Sequence, residues 1–372
     1  MTRILVVAPN WIGDALMAQA LLARLHQRLP GVTIDVLAPR WVLPLLERMP
    51  EVAEAIESPF GHGELRLRER WRLGRSLAKR GYAQAIVLPN TLKSALLPFF
   101  ADIPLRAGYV GESRYGLLNV LHRLPRRNPP PMVERYLALA DIPGAPLPAL
   151  PRTALSVSGT HLARTLAALD LAPPSDARPV AALCPGAEYG PAKRWPAEHF
   201  AELAQALGER GYAVWILGSG ADRPVGEAIL AARPGLAAYT RNLCGQTDLG
   251  AAIDLLAVSQ VVISNDSGLM HVAASLDRPL VALFGSSSPA HTPPRPPAGS
   301  QRTRIQYLAL DCSPCFKREC PLGHFRCMRE LSPQQVFTEA LAAAATPRLP
   351  QTPRPDGSGT RASPPNEGAT PA

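Results

Sequence analysis

A short polar segment interrupts an apolar run in VVISNDSGLMHVAA, residues 261–274. The pattern predicts a buried strand followed by a helix, so the backbone N–H groups of Ser267, Gly268 and Leu269 would open that helix. Unpaired N–H groups and the helix dipole favour an anion such as a pyrophosphate, and Gly268 would let it approach closely. An ordinary strand-to-helix turn with a cap and a glycine is the simpler alternative.

Two further residues of this segment have polar side chains, Asp266 and His271. A carboxylate would repel a phosphate, so Asp266 is expected to cap the helix or to accept hydrogen bonds from sugar hydroxyls. His271 lies three residues after Gly268 and could face the same ligand, although a buried, hydrogen-bonded core histidine explains it equally well.

The loop PGAEYGPAKRWP, residues 185–196, also follows an apolar run. Its glycines and prolines predict irregular backbone, and Lys193 places a positive charge just before the next helix. Lysine acts on phosphate as a point charge, so Lys193 is a candidate phosphate ligand, with a simple surface lysine as the alternative. Arg194 is more simply explained by packing or surface pairing.

The first strand-like run ends in VVAPNWIGDALM, where Gly13 permits a tight turn and Asp14 falls in the first turn of a helix. On this motif alone, a capping role for Asp14 is favoured. The spacing G-x-G-x-x-G does not occur in this loop, so it gives no indication of dinucleotide binding.

Four cysteines are grouped in CSPCFKRECPLGHFRC, residues 312–327. They are Cys312, Cys315, Cys320 and Cys327, with His324 between the last two. Disulfides are rare in cytosolic proteins, so a tetrahedral structural Zn²⁺ site is one interpretation and reduced, redox-labile thiols are the other. The spacing C-x4-C-x6-C is not the common paired pattern of zinc sites.

Strand-like and helical patterns alternate along the chain, which predicts parallel sheets covered by helices on both faces. The strand-like runs are RILVVAP, TIDVLAP and QAIVLPN in the first half and PVAALCPG, YAVWILGSG, QVVISND and RPLVALFG in the second. Helices are expected near 197–210, 222–232 and 248–258, and Cys184 and Cys244 are expected in the core. The predicted fold class is α/β, with two Rossmann-like domains that face each other across a cleft.

The proline density of DIPGAPLPALPRTALSVSG, residues 141–159, indicates a connection between domains. We therefore expect an N-terminal domain at 1–158 and a C-terminal domain at 159–346. Residues 347–372 are rich in Pro, Gly and Ser and are expected to form a disordered tail.

The net charge of +9 is concentrated in residues 61–135, which hold 14 Lys and Arg against 5 Asp and Glu. This excess predicts an anionic partner such as nucleic acid, an acidic lipid surface or a phosphorylated substrate, unless the charges are only solvated helix faces. The apolar runs fall short of the roughly 18 residues of a membrane span, and the start lacks the pattern of a secretory signal. We therefore expect a cytoplasmic protein.

Four motifs in a fixed order, PNWIGDALM, LPNTLKSALLP, PGAEYGPAKRWP and NDSGLMHVAA, resemble those of the ADP-heptose:lipopolysaccharide heptosyltransferases of glycosyltransferase family 9. The likeness extends from residue 1 to about residue 345. It implies the two-domain GT-B architecture and inverting transfer of L-glycero-D-manno-heptose from ADP-heptose to the inner core of lipopolysaccharide. The wording of the motifs favours the first heptose on Kdo2-lipid A as the acceptor, with Kdo2-lipid A itself as the alternative.

The resemblance also implies roles for individual residues. Asp14 matches the proposed general base, and Lys193 matches the lysine that contacts the donor diphosphate. The other donor-site positions implied by the motifs are Gly13, Gly186, Ala187, Asp222, Asp266, Ser267, Gly268, Leu269 and His271. Candidate acceptor contacts on the basic first domain are Lys93, Arg114 and Arg135.

An inverting transfer needs a carboxylate that reaches the acceptor hydroxyl from the side opposite the departing ADP. With an ordinary pKa of roughly 3.9, Asp14 would be ionised and a weak base, so its help would be concerted with an oxocarbenium-like transition state. Lys193 and the helix start would stabilise the departing ADP without a metal cofactor. The expected partners are ADP-heptose, the lipopolysaccharide acceptor and the anionic inner face of the cytoplasmic membrane, but no nucleic acid.

Two rival interpretations belong to other classes of protein. Sugar-nucleotide 2-epimerases have a similar two-domain architecture and bind a diphosphate, but they need no lipid acceptor. A zinc-bearing nucleic-acid binder would use the positive charge and the cysteines, although the basic region and the cysteines lie in different halves of the chain.

Overall fold

A computed structural model describes residues 2–61, 63–125 and 127–348 of the chain. Of the predicted C-terminal tail, residues 347 and 348 are described, and Arg348 forms an ion pair with Asp277 at 3.3 Å. The remainder of that tail lies outside the described residues.

The first half of the chain forms a parallel sheet of six strands. The strands are β1 (Arg3–Val7), β2 (Thr33–Pro39), β3 (Glu54–Ser58), β4 (Gln84–Val87), β5 (Leu105–Tyr109) and β6 (Val120–His122). Their order in the sheet is β3-β2-β1-β4-β5-β6, so the direction of winding reverses between β1 and β4. Ligands bind at such a reversal, beyond the carboxyl ends of the strands.

Helices connect these strands and cover the sheet. They are α1 (Ile12–Met17), α2 (Gln19–Arg28), α3 (Leu43–Leu46), α4 (Leu67–Ala78), α5 (Leu92–Phe100) and α6 (Met132–Ala138). The buried sides of α1 and α2 carry Ala, Leu and Met, whereas α4 keeps an arginine-rich face in solvent. Part of the positive charge of the first half therefore lies on an exposed helix face.

The second half repeats the strand order of the first. Its strands are β7 (Val180–Cys184), β8 (Ala213–Ile216), β9 (Thr240–Asn242), β10 (Val261–Asn265), β11 (Leu280–Phe284) and β12 (Thr303–Tyr307). They lie in the order β12-β11-β10-β7-β8-β9, with the reversal between β7 and β10. Its helices are α7 (Gly159–Ala168), α8 (Ala197–Glu209), α9 (Arg223–Ala231), α10 (Leu249–Val258), α11 (Gly268–Ser275), α12 (Arg326–Arg329) and α13 (Pro333–Ala345).

The central strands of the second sheet are apolar because helices cover both of their faces. Every residue of β7, β10 and β11 is buried, and their sequences VAALC, VVISN and LVALF show no alternation. The edge strands β3 and β12 are partly exposed and mix polar with apolar residues. The predicted α/β class with two Rossmann-like sheets is confirmed.

Helices of the first half contact helices of the second half at two places. Helix α1 packs against α11, and α3 packs against α10. At the second contact Arg48 forms a buried ion pair with Asp254 at 2.8 Å and donates to the carbonyl oxygen of Gly250 at 3.1 Å. The backbone N–H of Ser156, in the proline-rich connection, donates to the Arg48 carbonyl at 2.8 Å, so the connection is tied to this contact.

None of the helices in the described ranges combines the length and apolar character that crossing a bilayer requires.

Candidate active site

Lys193 lies in the loop that follows β7, at the end of a short turn formed by Pro191–Lys193. Its Nζ donates to Oδ2 of Asp266 at 2.6 Å, and Ser287 Oγ donates to the same oxygen at 2.5 Å. Asp266 is buried and the lysine side chain is 17% exposed. The carboxylate of Asp266 therefore holds Lys193 in place, and its predicted contact with sugar hydroxyls stays a prediction.

Two residues that the sequence did not single out fix this loop onto the sheet. The backbone N–H of Trp195 donates to Asn265 Oδ1 at 3.2 Å, and Asn265 Nδ2 donates to the Pro185 carbonyl at 2.7 Å. Trp195 is fully buried, and its indole Nε1 donates to the Leu331 carbonyl at 3.0 Å. The polar end of β10 therefore serves to position the loop that carries Lys193.

Helix α11 begins at Gly268 without a side-chain cap, because no side-chain hydrogen bond from the N-cap residue Ser267 reaches its first turn. Packing also requires a glycine at position 268, since a Cβ there would lie 2.9 Å from Cβ of Ile12 in the first domain. Leu269, the next residue, is partly buried. The start of α11 thus lies at the contact between the domains and keeps N–H groups available for an anion.

His271 packs against the first domain. A Cβ on Gly13 would lie 2.8 Å from Cδ2 of His271, so only glycine allows the two domains to approach this closely. His271 is buried, and burial lowers its pKa to about 4 despite the nearby charge of Asp266. The imidazole is therefore neutral near pH 7. It lies at the interface where α1 packs against α11, which we call the seam between the domains.

Asp14 lies in the first turn of α1, on the first domain's side of the same seam. Burial raises its pKa to about 6, and the positive charge of Lys193 acts against this rise. Tyr136 of α6 is close by, since the charge of Asp14 contributes to raising the pKa of its hydroxyl. The carboxylate of the first domain and the ammonium of the second thus lie within electrostatic range of each other.

The loops after β7 and β8 also meet. Asp222 accepts hydrogen bonds from the backbone N–H of Ser219 at 2.9 Å and from its hydroxyl at 2.8 Å. A Cβ on Gly186 would lie 2.5 Å from Asp222 Oδ2, so the glycine is required by this carboxylate. Ala187 is buried beneath the loop. Asp222 thus constrains the loop after β7, and its carboxylate is already used in a turn.

The three candidate acceptor contacts differ in their surroundings. Arg114 is 2% exposed, and its guanidinium donates to the carbonyls of Pro89 at 2.8 Å and Gly111 at 3.3 Å, so it ties loops together and is not a free surface charge. Lys93 is partly buried in the first turn of α5. Arg135 donates to the Pro130 carbonyl at 2.7 Å and is adjacent in sequence to Tyr136, beside Asp14.

Sequence patterns did not reveal three further residues that lie in segments after strands. Arg295, in the loop after β11, lies near His271 and Glu134, and its Nε has no hydrogen-bond partner among the residues described. Trp11 and Trp41 are 52% and 50% exposed just after β1 and β2, and Trp41 Nε1 donates to the Asn10 carbonyl. For Trp11 and Trp41, the available signal in the sequence was a tryptophan shortly after each of the first two strand-like runs.

The two groups of cysteines behave differently. Cys184 and Cys244 are buried at strand ends, as predicted. The other four, all free thiols, line one cavity of about 20 Å³ together with His324. As the side chains stand, no three His, Cys, Asp or Glu residues in the described chain form a ready-made metal site.

Comparison with known proteins agrees with this architecture. The family model "Glycosyltransferase family 9 (heptosyltransferase)" matches residues 70–326. Lipopolysaccharide heptosyltransferase 2 of Salmonella typhimurium is 47% identical over 342 residues, which cover 91% of this chain and 97% of that protein. Lipooligosaccharide heptosyltransferase 2 of Haemophilus influenzae is 49% identical over 342 residues, 90% of this chain and 97% of that protein.

A solved structure gives the same result at the level of the fold. The structure of E. coli ADP-heptose lps heptosyltransferase II superposes with a TM-score of 0.81 at 44% identity, and the match covers 92% of this chain and 98% of that one. Two Rossmann-like domains that present their post-strand loops to a common cleft define a GT-B glycosyltransferase. This chain belongs to glycosyltransferase family 9, the heptosyltransferases. The interpretation as a sugar-nucleotide epimerase is therefore wrong.

Proposed function

We propose that the protein transfers L-glycero-D-manno-heptose from ADP-heptose, with inversion, to the first heptose of the Kdo2-lipid A inner core. Relatives that match nearly their whole length carry the name heptosyltransferase 2. The observation that carries the mechanism is the approach of Asp14 to Lys193 across the seam. A base from one domain and a diphosphate ligand from the other are the two groups that the reaction needs.

The second domain binds the donor diphosphate. Lys193, held by Asp266, supplies a fixed positive charge, and the uncapped start of α11 supplies backbone N–H groups. Both act on the negative charge that grows on ADP as the glycosidic bond breaks. This charge is therefore stabilised by the protein, and in our proposal the transfer step needs no metal. Arg295 is placed to add a third contact.

The first domain supplies the base. The acceptor hydroxyl gives its proton to the Asp14 carboxylate while its oxygen bonds to the anomeric carbon and ADP leaves from the opposite face. Burial raises the pKa of Asp14 to about 6, so the sequence-based expectation of an ordinary, weakly basic aspartate is corrected. The residue is still ionised near pH 7, and it is a stronger base than a solvated aspartate.

The membrane contact would come from the first domain. On the exposed face of α4, Leu67 and Trp71 are 51% and 53% exposed and lie one turn apart, with Arg68 and Arg72 beside them. An apolar pair flanked by arginines suits an anionic lipid surface. We therefore place the protein at the cytoplasmic face of the inner membrane, where the lipid-linked acceptor would be presented to Asp14.

The test is an acceptor-dependent transfer assay. ADP-heptose is supplied with Kdo2-lipid A that carries one heptose, with heptose-free Kdo2-lipid A, or with neither. We expect ADP release and addition of one heptose, seen by mass spectrometry, only with the heptosylated acceptor. Preference for the heptose-free acceptor would establish the alternative substrate, and ADP-heptose conversion without acceptor would refute the proposal.

The same assay tests the membrane contact. The heptosylated acceptor is presented in vesicles with or without anionic phospholipid, and the rate should be higher with the anionic lipid. The Trp71→Ala variant should lose that gain and keep its rate on detergent-dispersed acceptor. Equal rates of the unaltered protein on both kinds of vesicle would contradict the membrane contact.

A further inference from the structure

The loop that follows β12 brings four thiols to one place. Cys312, Cys315, Cys320 and Cys327 are separated in sequence, yet all line a single cavity of about 20 Å³ beside His324. A volume of this size holds about one atom-sized occupant. All four are free thiols, so the loop is not closed by a disulfide.

Successive backbone N–H groups of one turn surround the sulfur of Cys320. The donors are Leu322, Gly323, His324 and Phe325. A turn whose N–H groups surround a sulfur supplies the outer hydrogen bonds that thiolate ligands of a metal need.

The donor set matches Zn²⁺ by its chemistry. Four cysteine sulfurs form one of the usual closed tetrahedral zinc sites, with Zn–S distances of about 2.3 Å. The sulfurs do not yet have that spacing in the described chain. The four cysteines already line one cavity, and a Zn²⁺ ion bound there would hold them as thiolates, with the thiol protons passing to solvent.

The cysteine loop packs directly on the loop that carries Lys193. The Ala192 N–H donates to the Arg318 carbonyl at 3.0 Å, Arg318 Nε donates to the Tyr189 carbonyl at 2.7 Å, and the Tyr189 hydroxyl donates to the Phe316 carbonyl at 2.7 Å. Ala192 also lines the cavity between the cysteines. Whatever fixes the cysteine loop therefore also fixes the residue immediately before Lys193.

We propose that Cys312, Cys315, Cys320 and Cys327 bind one structural Zn²⁺ ion, which clamps the cysteine loop and thereby orders the Lys193 loop. The clamping role rests on the proposed function, because it concerns the donor diphosphate. Binding of the ion itself does not, since metal content is measured without any assay of transfer.

The experiment starts from the full chain purified without chelators. Elemental analysis should give about one zinc per chain, and titration with a mercurial thiol reagent should release it as four thiols react, detected with a zinc-binding dye. Cys315→Ser should lose at least ten-fold in bound zinc, Cys315→His should retain it, and Cys244→Ala, outside the cluster, serves as the matched control. The titration of the unaltered protein remains decisive if the Ser variant does not fold.

Absence of zinc from the unaltered protein, a mass loss that reveals disulfides among the four cysteines, or iron in place of zinc would overturn the zinc assignment. For the clamp, ADP affinity is measured by calorimetry before and after zinc release. We expect about a ten-fold loss in the unaltered protein and little further loss in Lys193→Ala. Unchanged ADP affinity after zinc release would overturn the clamping role and would leave the zinc assignment unaffected.

Discussion

Each half of the molecule places an aspartate at the cleft, and the two are treated in opposite ways. In the second domain, Asp266 is buried and paired, with Lys193 at 2.6 Å and the Ser287 hydroxyl at 2.5 Å. In the first domain, Asp14 is partly buried without such a pair: its carboxylate forms no hydrogen bond within the described residues, and desolvation raises its pKa to about 6.

The comparison shows that two domains with the same strand order can hold their carboxylates in different electrostatic states. A carboxylate neutralised by a lysine is a fixed part of the scaffold, and it keeps the lysine pointing at the place where an anion binds. A carboxylate that is desolvated but unpaired keeps a reactive lone pair and a pKa near the operating pH. In the proposed reaction, the second domain therefore binds the diphosphate and the first accepts the proton of the acceptor hydroxyl.

The largest effect is expected from Asp14→Asn. Removal of a general base should lower kcat/KM for transfer by roughly 10² to 10⁴ fold, with ADP-heptose affinity within a few fold. The unaltered enzyme should gain kcat/KM as pH rises through about 6, because Asp14 must lose its proton, and the variant should lack this limb. Rate measurements across pH check both.

The matched control is Asp102→Asn, which alters an exposed aspartate of the same domain. It should leave both the rate and the pH profile unchanged. An Asp14→Asn variant with substantial activity would remove Asp14 as the base and, with it, the contrast between the two aspartates.

An intermediate effect is expected from Lys193→Ala. Loss of the ammonium should weaken ADP binding by roughly 1 to 3 kcal/mol, because its charge-assisted contact with the diphosphate is partly shielded from water. Calorimetry with ADP measures this, and Lys79→Ala, an exposed lysine on the first domain, provides the comparison. If ADP bound both variants equally well, the second domain's lysine would not be the diphosphate ligand.

The smallest effect concerns stability. The pKa of Asp14 is raised in the folded protein, so its ionisation costs stability progressively as pH rises from about 4 to about 6 and the full cost applies above that. Asp14→Asn should therefore be more stable than the unaltered protein at pH 8, by on the order of 2 kcal/mol, and the difference should shrink at pH 4.5. Denaturant unfolding at the two pH values measures it. A variant less stable at pH 8 would mean that Asp14 is paired after all.

The amino-acid sequence could predict the buried strands and the loops that follow them. Runs such as VVI in β10 and LVALF in β11 are apolar without alternation because both faces of these strands are covered, so they can be recognised from the local sequence alone. The edge strands β3, β6, β9 and β12 and the inner strand β5 were not predicted. They are short and mix polar with apolar residues, and their pairing depends on a neighbour distant in sequence.

The sequence by itself determined the fold class and the four loops that follow the strands, and it singled out the candidate site residues, because these follow from local patterns and motif spacing. Only the tertiary structure decided what each residue does there. It paired Asp266 with Lys193, used Arg114 inside the first domain, and raised the pKa of Asp14. Burial and partner distance are set by segments far apart in the chain, and no local pattern encodes them.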